Sequence, residues 1–156
     1  MSRSGYHDDY DNKWQLICWR GAVNSAMNGQ RGQAFFLEML IALDALPEPK
    51  LVAHHLVKYD DPTDANMVCA IGAVGLKRNV DMTNIDPEDS SSVAGKFNIS
   101  DALAREIVYM NDEWGPSKET NTERYYRMRR WIKACIRGPV IEEDENGRWL
   151  DDGGRH

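Results

Sequence analysis

The sequence predicts a mainly α-helical fold, a compact bundle of about five to six helices, on three observations. Apolar residues recur at three-to-four spacing in several windows; strong helix formers fill the stretch from Gln33 to Leu46; and proline, glycine and capping residues fall between these windows. At 156 residues the chain has the size of one domain, long enough to bury a core without disulfides or metals. Its 42% hydrophobic and 28% charged residues are ordinary globular usage, which argues against wholesale disorder and against a membrane class.

Residues 1–11 are polar and aperiodic and are expected to form a flexible acidic arm, followed by a single helical domain over 12–138. The first helix runs to about Asn28, with Trp14, Ile17, Cys18, Gly21, Ala22 and Ser25 sharing one face. Asn28-Gly29-Gln30-Arg31-Gly32 is a turn signal in which Gly29 suits a left-handed C-cap. Gln33–Leu46 is apolar nearly all round, as expected of a helix surrounded by others, and Pro47-Glu48-Pro49 ends it. Residues 51–59 are rich in β-branched and aromatic side chains but too short to separate a strand or hairpin from a helix.

Met67–Lys77 is a run of small apolar residues in which Gly72 and Gly75 point to close backbone approach by a neighbouring helix. Pro87, with Asp86 as cap, opens a short helix toward Phe97. Ser100 caps a helix from Asp101 to about Met110 that places Leu103, Ile107 and Met110 on one face. Trp114-Gly115-Pro116-Ser117 breaks the chain, and the last helix begins at Asn121 or Thr122 and is stopped by Gly138-Pro139. Its inner side is Tyr125, Met128, Trp131, Ile132, Cys135 and Ile136. The acidic residues 139–156 are expected to be a weakly ordered tail, with Trp149 and Leu150 as its anchors.

The longest apolar stretch, Ala34–Leu46, is broken by Glu38 and Asp44 and falls short of the roughly 18 to 20 residues that span a bilayer. With no apolar signal-peptide core near Met1, a cytoplasmic, reducing location is expected. Cys18, Cys69 and Cys135 are odd in number and widely spaced, so they read as three buried thiols rather than a disulfide framework or zinc site.

Adjacent His54 and His55 invite a metal or acid–base role, but neighbours on a strand face opposite ways and on a helix lie about 100° apart. They read as a partly exposed pair. Ser90, Ser91, Ser92, Ser100 and Ser117 lack the glycine pattern of a nucleophile elbow, and Gly72-Ala-Val-Gly75 lacks the spacing of a phosphate or dinucleotide loop. Asp112-Glu113 and Asp60-Asp61 are carboxylate pairs of the kind that sit solvated at helix ends and in loops. No catalytic set, cofactor or metal site is expected.

The last helix rises above this background. Arg124, Arg127, Arg129, Arg130, Lys133 and Arg137 interleave with Tyr125, Tyr126 and Trp131, a mixture that suits phosphate contact, base stacking and protein-binding hot spots alike. A competing account pairs these arginines with acids of the same chain, and it stands slightly ahead because the formal net charge is -6. Among binding accounts the acidic whole favours a protein partner over nucleic acid, which would be held through residues 124–137. Mimicry of a phosphate backbone by the acidic ends would need ordered negative charge. A homodimer through the apolar second helix is an alternative use of a face that burial within one chain also explains.

The runs Arg20-Gly-Ala-Val, Arg31-Gly-Gln-Ala-Phe-Phe-Leu-Glu-Met-Leu-Ile-Ala-Leu-Asp-Ala-Leu-Pro, Val68-Cys-Ala-Ile-Gly-Ala-Val-Gly, Ala102-Leu-Ala-Arg-Glu-Ile and Asn111-Asp-Glu resemble small uncharacterised proteins of tailed phages and prophages of proteobacteria. The resemblance covers roughly residues 19–133 and carries no catalytic motif. It implies a setting in the host cytoplasm, where such proteins often bind a host protein, including components of anti-phage defence. The resulting expectation is a non-enzymatic accessory protein that binds a host macromolecule, a protein first, through Arg124, Arg127, Arg130, Trp131 and Lys133. A nucleic-acid-binding regulator using the same helix is second and a small enzyme third.

Overall fold

A computed structural model of the protein describes Arg3, residues 13–58, residues 67–137 and two short strands at 142–143 and 149–150. The expected acidic arm (all but Arg3), the Asp60-Asp61 pair, His7, His156 and most of the expected tail lie outside the described residues. Among the described residues six helices, α1 (Lys13–Asn28), α2 (Gln30–Asp44), α3 (Ala70–Arg78), α4 (Ser90–Phe97), α5 (Asp101–Asp112) and α6 (Asn121–Cys135), make this the mainly helical bundle that the sequence predicts. Of the segment 51–59, residues 51–58 are described and form irregular chain followed by β1 (Val57–Lys58), which pairs antiparallel with β2 (Met67–Val68) in the register Val57 to Val68 and Lys58 to Met67. Within the expected tail, β3 (Glu142–Glu143) pairs antiparallel with β4 (Trp149–Leu150).

α2 is the central element, packed against α1, α3 and α6, while α5 lies against α1, α4 and α3. Phe36, Met39 and Leu43 of α2 meet Ile71 and Val74 of α3, Leu103 and Ile107 of α5, and Met128 and Ile132 of α6, all in a single buried cluster with Phe97. Edge-to-face pairs, Phe36 with Trp131 at 5.6 Å and Phe35 with Phe97 at 6.4 Å between ring centroids, knit α6 and α4 to α2. The Arg78 guanidinium lies 5.7 Å from the Phe35 ring centre and its Nε donates to Glu38 at 2.8 Å, closing the α2–α3 seam at the surface.

The α1–α2 corner departs from expectation. Gly29 is extended, with φ -70°, rather than a left-handed C-cap, and α2 begins at Gln30 directly after it. Gly32 is the glycine the corner requires, because a Cβ there would overlap the Ala26 carbonyl oxygen of α1. The buried face of α1 also differs: Ile17 is 54% exposed and Cys18, Gly21, Ala22 and Ser25 are exposed, whereas Val23 is fully buried and Trp19, Ala26 and Met27 are partly so. The buried face, carrying Trp19, Val23, Ala26 and Met27, lies roughly 150° around the helix from the predicted one, and it too satisfies the helical period. Cys18 is therefore an exposed thiol, and only Cys69 and Cys135 are buried.

Gly72 and Gly75 do mark close approach, but not to a helix. A Cβ at Gly72 would overlap the Leu56 carbonyl oxygen of the irregular segment, and one at Gly75 would overlap the Met82 side chain. α4 starts three residues later than Pro87 suggests: Asp89 caps it by accepting from Ser92 N at 3.2 Å, while Asp86 accepts from Glu88 N in the preceding turn. Ser90 and Ser91 sit in its first turn with their hydroxyls directed to Asp101. Ser100 caps α5 as expected, accepting from Leu103 N at 3.1 Å.

Gly32→Ala is expected to destabilise the fold by about 2–3 kcal/mol through overpacking at the corner. Gly21→Ala, with nothing within 4 Å of its Cβ position, is expected to stabilise α1 by about 0.5–1 kcal/mol; denaturant unfolding of the two variants checks the pair. Iodoacetamide is expected to alkylate Cys18 rapidly in the native protein, and Cys69 and Cys135 only after denaturation, as mass spectrometry of peptides would read.

Candidate functional site

α6 is positioned by its cap. Thr120, rather than Asn121 or Thr122, is the N-cap: its hydroxyl accepts from Glu123 N at 3.1 Å and the Glu123 carboxylate accepts from Thr120 N at 2.9 Å, a capping box. Tyr125, Met128, Ile132 and Cys135 then face the core, and the Tyr125 hydroxyl donates to Leu43 O at 3.0 Å. Burial pushes the Cys135 thiol up to about 11, so it stays neutral.

The cations of α6 divide into two sets. Arg124 and Arg127 turn toward the carboxyl end of α5, whose last carbonyls have no intrahelical partner. Arg124 Nε donates to Asn111 O and its Nη1 to Leu51 O, each at 3.1 Å; Arg127 Nη1 donates to Met110 O at 2.6 Å and its Nη2 to Asn111 O at 3.3 Å. Arg127 also grips the Glu119 carboxylate at 2.6 and 2.9 Å, with the Glu119 side chain only 5% exposed. Cations at the negative end of a helix dipole are favourably placed, so both arginines serve the fold directly. Arg129 binds Asp44 at 2.8 Å, and Arg137 donates from its Nη1 to Ala134 O at 2.7 Å.

Arg130 and Lys133 are exposed and have no hydrogen bond or ion pair among the described residues. Tyr126, 48% exposed, precedes them by four and seven positions and so shares their face. Trp131, half-buried on Phe36, lies beside Arg130 in sequence. Of the residues expected to meet a partner, Arg130, Lys133 and the edge of Trp131 therefore remain at the surface, while Arg124 and Arg127 are engaged inside. Tyr126 was legible as part of the aromatic interleaving, and its four-residue spacing to Arg130 is the signal that places it in the outer row.

A second cluster gathers around Asp112, whose side chain is 1% exposed rather than solvated. Arg3 meets it with both Nε and Nη2, at 2.6 and 2.7 Å. Asp112 Oδ1 also accepts from Asn111 Nδ2 at 2.9 Å and from His54 N at 3.1 Å. Burial pushes this carboxyl up, but the bonds and charge of Arg3, with help from Asn111 and the His54 N–H, outweigh it and hold it below its ordinary value of 3.8. His54 adopts φ 68°, and its ring, 61% exposed, stands with Nδ1 3.7 Å from Asp112 Oδ2. His55 is exposed.

A cleft of about 210 Å³ opens at the α1–α2 corner beside the start of α5, lined by Arg31, Gly32, Ile99, Ser100 and Leu103 among others. No carboxylate, histidine or cysteine lines it. Among the described residues no helix is long and apolar enough to cross a membrane, and no group of three or more metal-ligating side chains converges. Comparison with protein-family models, curated proteins and solved structures gives no match to this chain.

Arg127→Ala is expected to cost about 2–4 kcal/mol of folding stability, because it strands the buried Glu119 carboxylate and the α5 carbonyls. Arg130→Ala and Lys133→Ala are expected to stay within about 0.5 kcal/mol of the parent; urea denaturation separates the two sets. Because Asp112 is more acidic when folded than its ordinary value of 3.8, its contribution is fully present above that pH and is lost as pH falls through the folded value. An acid titration followed by circular dichroism is expected to show stability falling below about pH 4, with a shallower fall in Asp112→Asn.

Proposed function

We propose that the protein is a non-enzymatic phage accessory protein that binds a host protein, in host takeover or in anti-defence such as anti-CRISPR activity. The observation that carries this is the outer row of α6. Arg124, Arg127 and Arg129 all have partners within the chain, whereas Arg130 and Lys133 have none among the described residues. Intramolecular pairing therefore accounts for the inner cations and leaves the outer ones unexplained. Arginine and tyrosine together, next to the edge of Trp131, are the residue types that dominate protein-binding hot spots.

Nucleic acid is the weaker occupant for this row. Two unpaired cations would displace few counterions, giving a slope of only about -2 in log affinity against log salt, and the chain as a whole carries -6. An acidic patch on a host protein matches the row with less demand on total charge.

The test is affinity capture of the tagged protein from host lysate, with and without nuclease, comparing the parent chain with an Arg130→Glu, Lys133→Glu double variant. The expected outcome is one host protein retained after nuclease treatment by the parent and lost by the variant, with unchanged melting temperature. Capture that persists in the variant removes the row as the binding surface, and capture that requires intact nucleic acid shifts the occupant to a phosphate backbone.

A further inference from the structure

The Asp112 cluster has the build of a receptor. Three parts of the bundle supply its walls: the irregular chain at Val52–His54, the start of α3 at Cys69–Ala70, and the end of α5 at Asn111–Asp112. Asn111 locks these parts together. Its Nδ2 donates to Val52 O at 2.9 Å as well as to Asp112, and its Oδ1 accepts from Ala70 N at 3.2 Å. Asp112 is thus oriented by Asn111 and the His54 N–H as well as by Arg3. The carboxylate also stands at the negative end of α5, which adds to its attraction for a cation.

What fills this socket is a side chain from outside the bundle's elements. Arg3 belongs to no helix or strand and lies 109 positions from Asp112. Its guanidinium meets the carboxylate in the two-bond fork geometry that arginine makes and lysine cannot. The Cys69 thiol lies beside it. The fit is incomplete on one side, since Nη1 is buried without a hydrogen-bond partner. Arg3 is 4% exposed, so this is a deep site and not a surface ion pair.

We infer that the Asp112 socket is an arginine-binding site, occupied in cis by Arg3 and open to an arginine side chain presented by a protein partner when Arg3 leaves. An occupant carried on the same chain competes at the effective concentration its tether sets, so an incoming arginine binds the parent weakly and an Arg3-less chain more tightly. The site stands on geometry separate from the α6 row, and either can fail without the other.

The experiment follows thermal unfolding of the full-length Arg3→Ala variant with rising N-acetylarginine amide, using N-acetyllysine amide as control. The expected result is a melting temperature below that of the parent that climbs with the arginine amide and not with the lysine amide, while the parent shows little response. The climb is expected to vanish in Arg3→Ala, Asp112→Asn. Should Arg3→Ala be unfolded without ligand, recovery of helical circular dichroism on adding the arginine amide, and not the lysine amide, supports the site equally. Arg3→Lys, keeping a cation without the fork, is expected to retain the response to arginine amide in part. Equal responses to the two amides, a response that survives Asp112→Asn, or none in any Arg3 variant would overturn the inference.

Discussion

The buried carboxyl end of α5 is the constraint around which the rest of the molecule is arranged. A helix that ends inside a protein leaves carbonyls that must find donors, and here the ending also carries the buried polar side chains of Asn111 and Asp112. Each requirement is met from a different part of the chain. Arg124 and Arg127 reach in from α6 to the Met110 and Asn111 carbonyls, His54 N and Arg3 converge on Asp112, and Asn111 bonds the 52 loop and the start of α3. Apolar contacts hold α2 in the centre, but this polar knot fixes how α3, α5, α6 and the irregular chain between α2 and β1 meet. Its members are interdependent, because removing any one leaves another buried group without its partner.

That knot also explains why a helix so rich in arginine belongs to a chain that is acidic overall. Cations near the end of α5 answer its dipole and its unpaired carbonyls, a demand that net charge does not register. Glu119 then neutralises the inner arginines and Asp44 answers Arg129. Only after these internal partners are assigned does the row proposed to meet a partner emerge, and it is smaller than the sequence implies: a tyrosine, two cations and the edge of a tryptophan.

Features set by local chemistry were legible in the sequence. Ser100, the proline pair at 47 and 49 and the break at 114–117 placed α5, the end of α2 and the gap before α6 within a few residues, because caps and prolines act on their own neighbours. Features set by long-range packing were not. The apolar stripe of α1 could be read on either of two faces, and choosing between them needs the surfaces of α5 and α2 that pack against α1. Gly29 and Gly32 both looked like turn residues, yet only the closeness of α1 to α2 distinguishes the glycine that needs to lack a side chain. Asp112 read as a solvated acid because its partner lies at position 3. No window of sequence connects the two.

The division of α6 into inner and outer cations has a consequence for how binding and folding are coupled. An arginine that closes the end of α5 cannot be altered without disturbing the core, so loss of partner capture in an inner variant would be ambiguous between a damaged surface and a damaged fold. Tyr126 packs edge-to-face on the buried Tyr125 at 5.1 Å, whereas Arg130 and Lys133 are exposed and share no bond with the knot, so substitutions at these two cations leave the packing of Met128 and Ile132 in place. Charge at these positions is therefore free to match a partner without altering stability, which is the property a recognition surface on a small bundle requires. By the same reasoning Asp112 lies at the opposite extreme: recognition there is inseparable from the stability of the bundle, so any ligand of that socket would act on the fold itself.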